Sequence, residues 1–305
     1  MEDRQPLAPQ VRFYPPAPEL RDLITAYYFV DVPPGRQLDH LHPEWANIRF
    51  VVEGAWKWRM SDDAPWFSTP AGLWGPTDRT GTIVTDGGLV VGFGLTPLGW
   101  SRLIGVSAEP HANAAIDLGE VWGPAAAEML SSLLETADDA ARVAALDARL
   151  GPRAQAAAIV DPAVGRAAGA LLTGDIRSID AFARQVGVST RTLDRLCRRV
   201  FGFAPKRLLR RQRFLRTLER IGGVLDEGYA DQAHFNREFR AFMGMTPQRL
   251  LPPAAERPAP RGRKPAGRHR PTLARPPRRA RPGLNPHWRS SILTPRLTTG
   301  SSNPI

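Results

Sequence analysis

Arginine and aspartate side chains recur between positions 190 and 201 at intervals of three and four residues. Arg191, Asp194, Arg195 and Arg198 would therefore share one face if this segment is a helix. Arginine can donate two hydrogen bonds to guanine O6 and N7, and aspartate can accept one from cytosine N4. This pattern indicates a surface that reads base edges. The alternative is a solvated charged face on which Asp194 only orients Arg195 or Arg198.

A second polar set, His40, His42 and Glu44, forms an H-x-H-x-E pattern in the N-terminal half. Histidines two residues apart on a strand point to one side and could bind iron or zinc. The intervening Pro43 favours a loop instead, and only His111 offers a distant third histidine. Such patterns are frequent by chance, so a metal-dependent enzyme is an alternative and no metal or cofactor is predicted.

Other residue patterns typical of catalysis do not emerge from the sequence. We find no serine or cysteine nucleophile with a base, no carboxylate pair and no glycine loop that would hold phosphate, so no enzyme is expected. Cys197 is the single cysteine, which excludes an intramolecular disulfide and favours a reducing cytoplasm. The most apolar stretch, 87–100, is too short for a bilayer span, so no membrane partner is expected.

Charge divides the 305-residue chain into three parts. Residues 1–170 carry 13 Lys and Arg against 21 Asp and Glu, residues 171–251 carry 16 against 8, and residues 252–305 carry 12 against 1. The net charges are therefore −8, +8 and +11. A polyanion is expected to meet the C-terminal part, and the acidic part to have another role.

The composition of residues 252–305, with 12 prolines and few apolar residues, predicts a disordered tail. Such a tail is either an arm that adds sequence-independent attraction to phosphate or a segment without a role.

Short apolar runs broken by proline and glycine predict strands from residue 11 to about 105, as in a small β-barrel or sandwich. Runs 48–52 and 56–60 flank the turn Glu53-Gly54-Ala55, which predicts a hairpin. Leucines farther on predict two amphipathic helices that separate near Asp138-Asp139, the second broken at Gly151-Pro152. These leucines are interpreted as core, with a dimer interface as the alternative.

The segment from 175 to 221 has the pattern of two short helices joined by a tight turn, with a third helix from Lys206. Asp175 or Ser178 would cap the first helix, Gly187 would end it, and Ser189 would cap the second. A helix-turn-helix lays the second of two such helices in the major groove of DNA. Its predicted buried stripe comprises Leu193, Leu196, Cys197, Val200 and Phe201.

An internal repeat follows, because Gly202-Phe203-Ala204-Pro205 and Gly244-Met245-Thr246-Pro247 each close a helix that contains phenylalanine. The stretches SIDAFARQVGVSTRTLDRLCRRVFGFAPKRLLRRQRF and GYADQAHFNREFRAFMGMTPQRL resemble the two helix-turn-helix units of the AraC/XylS family of bacterial transcription regulators. The preceding LHPEWANIRFVVEG, GLWGP and GFGLTPLGWSRLIG are similar to the sensor-type N-terminal domain of some members. This resemblance does not identify a ligand.

The resemblance implies a first recognition helix from Thr190 to Phe201 and a second that starts near Asp231. The predicted DNA-binding residues are Thr190, Arg191, Asp194, Arg195, Arg198, Gln232, His234, Asn236 and Arg237. Gln232 could pair with adenine, whereas His234 is interpreted as a packing or phosphate-facing residue. The segment 221–228 leaves room for barely one turn where the family has a full helix. The second unit is therefore expected to be held less firmly than the first.

The predicted fold class is α+β with several domains. They are a β-barrel or sandwich-like sensor domain at 1–120, linking helices at 121–170, an AraC-type DNA-binding domain at 171–251 and the tail at 252–305. The predicted function is a sequence-specific transcription regulator, modulated through its N-terminal domain by an unidentified effector. Its expected partners are double-stranded DNA, a small-molecule effector, a second copy in a homodimer, and RNA polymerase. The alternatives are a metal-dependent enzyme fused to a DNA-binding module, and a charge-driven binder without sequence readout.

Overall fold

Strands predominate from residue 10 to residue 117, and helices predominate from residue 119 to residue 221. The computed structural model describes residues 9–157, 159–173, 176–221, 240 and 242, and of residues 173 and 215–221 the backbone alone. The strands are β1 (Gln10–Tyr14), β2 (Ile24–Val32), β3 (Gln37–Leu41), β4 (Asn47–Val51), β5 (Trp56–Arg59), β6 (Ala71–Trp74), β7 (Gly81–Thr85), β8 (Gly88–Leu95) and β9 (Ala115–Asp117). The helices are α1 (Pro97–Gly99), which continues into a π-helical turn (Trp100–Ile104), α2 (Gly119–Trp122), α3 (Pro124–Leu134), α4 (Asp139–Ala156), α5 (Pro162–Thr173), α6 (Ile179–Val186), α7 (Thr190–Phe201) and α8 (Pro205–Ile221).

The strands form two antiparallel sheets. The larger sheet has the order β1-β2-β8-β4-β6-β9, and the smaller has the order β3-β7-β5. In the larger sheet Ile48 pairs with Phe93 on one side and Leu73 on the other. In the smaller sheet Ile83 lies between Asp39 and Trp58. This arrangement, followed by helices, confirms the predicted α+β class with a sandwich-like N-terminal part.

The larger sheet is covered on both faces because apolar residues occupy both sets of alternating positions. On one face Ile48 and Phe93 belong to a core shared with residues of α3 and α4. On the other face Tyr28 and Val90 pack with Trp58 of the smaller sheet. The sheet is therefore the middle layer of the N-terminal part.

The hairpin predicted between 48–52 and 56–60 is wrong, although both strands exist. β4 pairs with β6 and β8, whereas β5 pairs with β7 in the other sheet. The N–H groups of Val52 and Glu53 donate to the Leu89 carbonyl at 2.9 and 3.0 Å, and the chain then crosses between the sheets. Trp56 and Trp58 stack there with ring centroids 6.3 Å apart. Burial of two indoles between the sheets outweighs the local turn signal.

The leucine-rich helices α3 and α4 pack onto the larger sheet. Asp138 caps α4 by accepting a 2.8 Å hydrogen bond from the Ala141 amide. Leu133 and Leu146 are fully buried, in agreement with the core interpretation, whereas Leu134 on α3 is 53% exposed. These helices therefore share one hydrophobic core with the sheet.

The break predicted at Gly151-Pro152 is wrong, because α4 continues through both residues to Ala156. A proline inside a helix removes one backbone hydrogen bond. Here Leu150 and Ala154 are buried, and Arg153 donates to the Leu103 carbonyl at 3.0 Å. Tertiary contacts therefore hold the last turn of the helix.

The caps of α6 and α7 lie at predicted residues. The Ser178 and Ser189 side chains accept hydrogen bonds from backbone amides of the first turns at 3.1 and 3.2 Å. Gly187 and Gly202 end the two helices in the left-handed region, both with φ of 76°. Glycine adopts this conformation without the strain that other residues meet there. The turn between the helices is therefore set locally.

Within the part of the chain that the structure describes, no helix combines the length and the apolar character needed to cross a bilayer.

Candidate nucleic-acid interface

The outer face of α7 carries the five predicted DNA-binding residues of the first unit. Thr190, Arg191 and Arg195 are exposed. The side chains of Asp194 and Arg198 are 47% and 43% exposed. Because helical residues three and four apart are neighbours, these five side chains form one polar surface.

The opposite face of α7 explains why this surface points outward. Leu193 and Cys197 are fully buried, and Val200 and Phe201 are nearly so. They share a core with residues of α5, α6 and α8. Burial raises the pKa of the Cys197 thiol to about 12. The apolar stripe therefore fixes the rotation of the helix about its axis.

Arg198 is held by two carboxylates. Its Nε donates to Asp194 one turn earlier at 2.8 Å, which is the orienting contact considered from the sequence. Its Nη1 donates to Glu109, a residue of the N-terminal part, also at 2.8 Å. Glu109 and Asp194 together raise the pKa of Arg198 above its usual range. The guanidinium stays charged and is directed toward the N-terminal part.

The second-unit residues Gln232, His234, Asn236 and Arg237 lie outside the described residues, as do the shortened segment 222–228 and the tail 252–305. Two residues of this unit are described. Arg240 is exposed, whereas Phe242 is 3% exposed, stacks on Phe214 with ring centroids 4.6 Å apart and lies under the Arg210 guanidinium. The Phe242 carbonyl accepts hydrogen bonds from the Thr80 amide and hydroxyl at 2.9 and 3.1 Å.

A carboxylate of the N-terminal part also holds α8. Asp78 is 6% exposed and accepts two hydrogen bonds from Arg207, from Nε and, at 2.7 Å, from Nη2. The Asn113 side-chain amide donates to Asp78 Oδ1 at 3.0 Å, and its carbonyl oxygen accepts from the Asp78 backbone amide at the same distance. Asn113 has a positive φ of 57°. The carboxylate is therefore oriented before it meets the guanidinium.

A second arginine of α8 is buried at the same boundary. Arg211 is 2% exposed, its Nε donates to the Thr77 carbonyl at 2.9 Å, and its guanidinium lies 4.5 Å from the Trp45 ring centroid. Burial lowers the pKa of Arg211 to about 10. Trp45 also meets Phe201 of α7 edge-on at 5.7 Å. One tryptophan of the N-terminal part thus contacts both helices.

Sequence reasoning missed this boundary between the two parts. Asp78 and Arg207 are 129 positions apart, and neither belongs to a recognisable motif. The basic content of α8 was visible in the sequence. The residues that its arginines contact could not be predicted, because a single Asp or Glu gives no sign of a contact with a distant residue.

His40, His42 and Glu44, the residues of the H-x-H-x-E pattern, do not converge on one point. His40 lies in β3, whereas Glu44 is 4% exposed and its Oε1 accepts a 2.5 Å hydrogen bond from Arg49. Burial, with the nearby His40, lowers the pKa of His42 to about 4. Among the described residues, no group of three His, Cys, Asp or Glu side chains is placed to hold a metal ion. The H-x-H-x-E pattern is therefore not arranged as a three-ligand metal site.

The space between the sheets contains a small cavity of about 20 Å³. Its lining includes His42, Arg49 and Trp58, each of which has a buried nitrogen without a partner among the described residues. This volume holds about one water molecule. Trp56 also lines it, whereas Trp66 is 46% exposed beneath Arg59. The other tryptophans among the described residues lie in the core or at the boundary with α7 and α8.

Comparison with known proteins adds a family to the C-terminal segment. Residues 182–251 match the family model described as a helix-turn-helix domain. This match covers α7 and the turn before it, and it confirms the resemblance of this segment to the AraC type. No curated protein matches the sequence significantly.

Solved structures give more distant similarities. ToxT from Vibrio cholerae is 10% identical, covers 80% of this chain and 98% of its own, and has a TM-score of 0.40. Wild-type ToxT bound to an unsaturated fatty acid is 10% identical over 82% of this chain and 96% of its own, also at 0.40. The AraC-like transcriptional activator CuxR is 15% identical over 69% and 86%, with a TM-score of 0.27. At these values the similarities support no inference about ligand or activity.

Proposed function

We propose that the protein is a transcription regulator that binds specific duplex DNA through the outer face of α7. The observation that carries this function is the polar face of α7, fixed outward by a buried stripe within a segment that matches a helix-turn-helix domain. A recognition helix of this kind enters the major groove. Arg191 and Arg195 are exposed and could donate to guanine, and Asp194 orients Arg198.

The N-terminal part modulates DNA binding in this proposal. Its support is physical contact, because Asp78, Glu109 and Trp45 all touch α7 or α8. A ligand that favours one arrangement of the two parts would shift the population of the DNA-binding state. The one cavity described above between the sheets holds about one water molecule, and we propose no class of effector.

The division of the chain and its assembly belong to the same proposal. The sensor domain spans 1–120, the linking helices 121–170, the DNA-binding domain 171–251 and the tail 252–305. The protein acts as a homodimer beside RNA polymerase in the cytoplasm, where bacterial DNA lies. We place Leu134 on α3, which is 53% exposed, in the contact between copies. Sedimentation of Leu134→Glu, which should be monomeric where the natural chain is dimeric, tests that contact.

Selection of bound duplexes from a random pool by the full chain tests the proposed function. We expect one recurrent motif, and we expect Arg195→Ala to lose about 1–3 kcal/mol of discrimination at one base position. Competition binding with motif and scrambled duplexes at physiological salt measures this loss. Arg21→Ala is the matched control, because Arg21 is exposed on the N-terminal part and carries the same charge.

Two results would contradict the proposal. One is equal binding of motif and scrambled duplexes by the natural chain, which would favour the charge-driven binder. The other is a uniform weakening by Arg195→Ala across all sequences, which would place Arg195 on phosphate instead of on bases.

A further inference from the structure

The guanidinium of Arg198 already has an anionic partner outside its own helix. Glu109 Oε1 lies 2.8 Å from Arg198 Nη1, and Asp194 occupies the Nε side. Charge-assisted hydrogen bonds of this kind resemble those that arginine makes with phosphate. A DNA phosphate or base that bound Arg198 through Nη1 would have to displace Glu109.

Backbone contacts hold the same segment of the N-terminal part against the C-terminal end of α7. The amide of the fully buried Ala108 donates to the Arg199 carbonyl at 2.7 Å. At Gly202 a side-chain Cβ would lie 3.1 Å from the Ala108 carbonyl oxygen and 3.2 Å from the Ala112 Cβ. The segment 108–112 therefore packs closely on the end of the recognition helix.

Asp78 holds the following helix in the same arrangement through Arg207. We call Asp78 and Glu109 the acidic clamp. Asp78 binds Arg207 of α8, and Glu109 binds Arg198 of α7. The segment 171–251 has a net charge of +8, so both carboxylates compete for cations in the part of the chain expected to meet DNA.

We propose that the acidic clamp of Asp78 and Glu109 maintains a closed state that competes with duplex DNA for α7. This inference rests on the proposed function, since it concerns how DNA binding is restrained. In the closed state Arg198 donates to Glu109 instead of to DNA, and segment 108–112 covers the C-terminal end of α7. DNA binding and docking of the two parts then oppose each other, and each weakens the other by the same factor.

Substitution of Glu109 in the full chain tests the competition at Arg198. We expect Glu109→Gln to bind the selected duplex about threefold more tightly than the natural chain, because a half-exposed ion pair is removed. Glu120→Gln is the matched control, since Glu120 is exposed on α2 and its loss changes the net charge equally. A Glu109→Gln affinity equal to or weaker than that of the control would overturn the proposal.

Substitution of Asp78 tests its contact with Arg207 of α8. We expect Asp78→Asn to raise the affinity for DNA about tenfold if the closed state predominates, because two hydrogen bonds to a buried carboxylate are weakened. Asp63→Asn, in an exposed loop, is the matched control. Reduced affinity in Asp78→Asn, with a thermal transition like that of the control, would mean that docking supports DNA binding and would overturn the proposal.

Amide hydrogen exchange of the peptide that contains Ala108 reports the docking directly. We expect this peptide to lose protection when the full chain binds its duplex, because the Ala108–Arg199 hydrogen bond must open. Unchanged protection in the saturated complex would overturn the proposal even if the affinities rise. If the natural chain selects no motif, the proposed function has failed. If it selects a motif and the clamp variants bind no tighter, only the competition has failed.

Discussion

Arg195 and Arg198 lie one turn of α7 apart in different surroundings. Arg195 is exposed, whereas Arg198 is held between Asp194 and Glu109. The sequence predicted that both face outward, because helical spacing fixes that much. It also offered Asp194 as an orienting residue, one turn before Arg198. Glu109 could not be predicted, since it lies 89 positions away. The sequence therefore indicated the contact within α7 but not the contact that Arg198 makes with Glu109.

His42 gives the stability of the fold a dependence on pH. Burial lowers the pKa of His42 to about 4, from a usual value of 6.5. Between pH 6.5 and pH 4 the unfolded chain binds more protons at this residue than the folded chain does. The free energy of unfolding therefore falls as the pH falls through this range. We expect His42 to reduce the free energy of unfolding by about 1–2 kcal/mol between pH 7 and pH 5. Urea unfolding of the natural chain and of His42→Gln at both values measures this reduction.

In that comparison His42→Gln should show the shallower dependence on pH. His111→Gln is the control, because it removes an imidazole outside the space between the sheets. A slope in His42→Gln as steep as in the natural chain would mean that other groups cause the acid sensitivity.

At the scale of elements, the sequence predicted the helix ends that are set by residues close to them in the chain. Serine caps and glycine ends defined α6 and α7, because these signals lie within a few residues of the helix ends. Strand pairing was misread, because β4 and β5 are joined by a short glycine-containing turn yet belong to different sheets. The choice of partner depends on where Trp56 and Trp58 are buried, which no local pattern contains.

The end of α4 shows tertiary contacts overriding a helix breaker, and this can be measured. Pro152 is exposed and interrupts the hydrogen bonding of a helix that continues to Ala156. We expect Pro152→Ala to increase the free energy of unfolding by about 1–3 kcal/mol, because the missing backbone hydrogen bond is restored. Urea unfolding at pH 7 measures the increase.

The neighbouring Gly151→Ala substitution serves as a reference for that increase. A Cβ at Gly151 would meet no atom within 4 Å, so a gain of about 0.5–1 kcal/mol from helix propensity alone is expected. If Pro152→Ala gained no more than Gly151→Ala, the proline would not strain the helix.

At the scale of the whole molecule, Trp45 joins the two parts. It meets Phe201 of α7 and lies under Arg211 of α8. We expect Trp45→Ala to weaken this boundary by about 2–4 kcal/mol, because a large aromatic contact is lost. Thermal unfolding should then separate into two transitions, which calorimetry would resolve.

Trp66→Ala removes the same side-chain type from an exposed position and should leave the shape of the thermal transition unchanged. A single unchanged transition in Trp45→Ala as well would show that the two parts do not depend on this contact. A separation seen in both variants would point to a general effect of losing a tryptophan.

The buried thiol on the inner face of α7 has a practical consequence. Cys197 is the sole cysteine, is fully buried and has a pKa far above neutrality. An alkylating reagent has no thiolate to attack until this helix lifts from its seat. The rate of alkylation therefore measures how often α7 opens in the unaltered protein. A dye-bearing cysteine added at the surface would react long before the native one, so labelling at a chosen position needs no cysteine-free background.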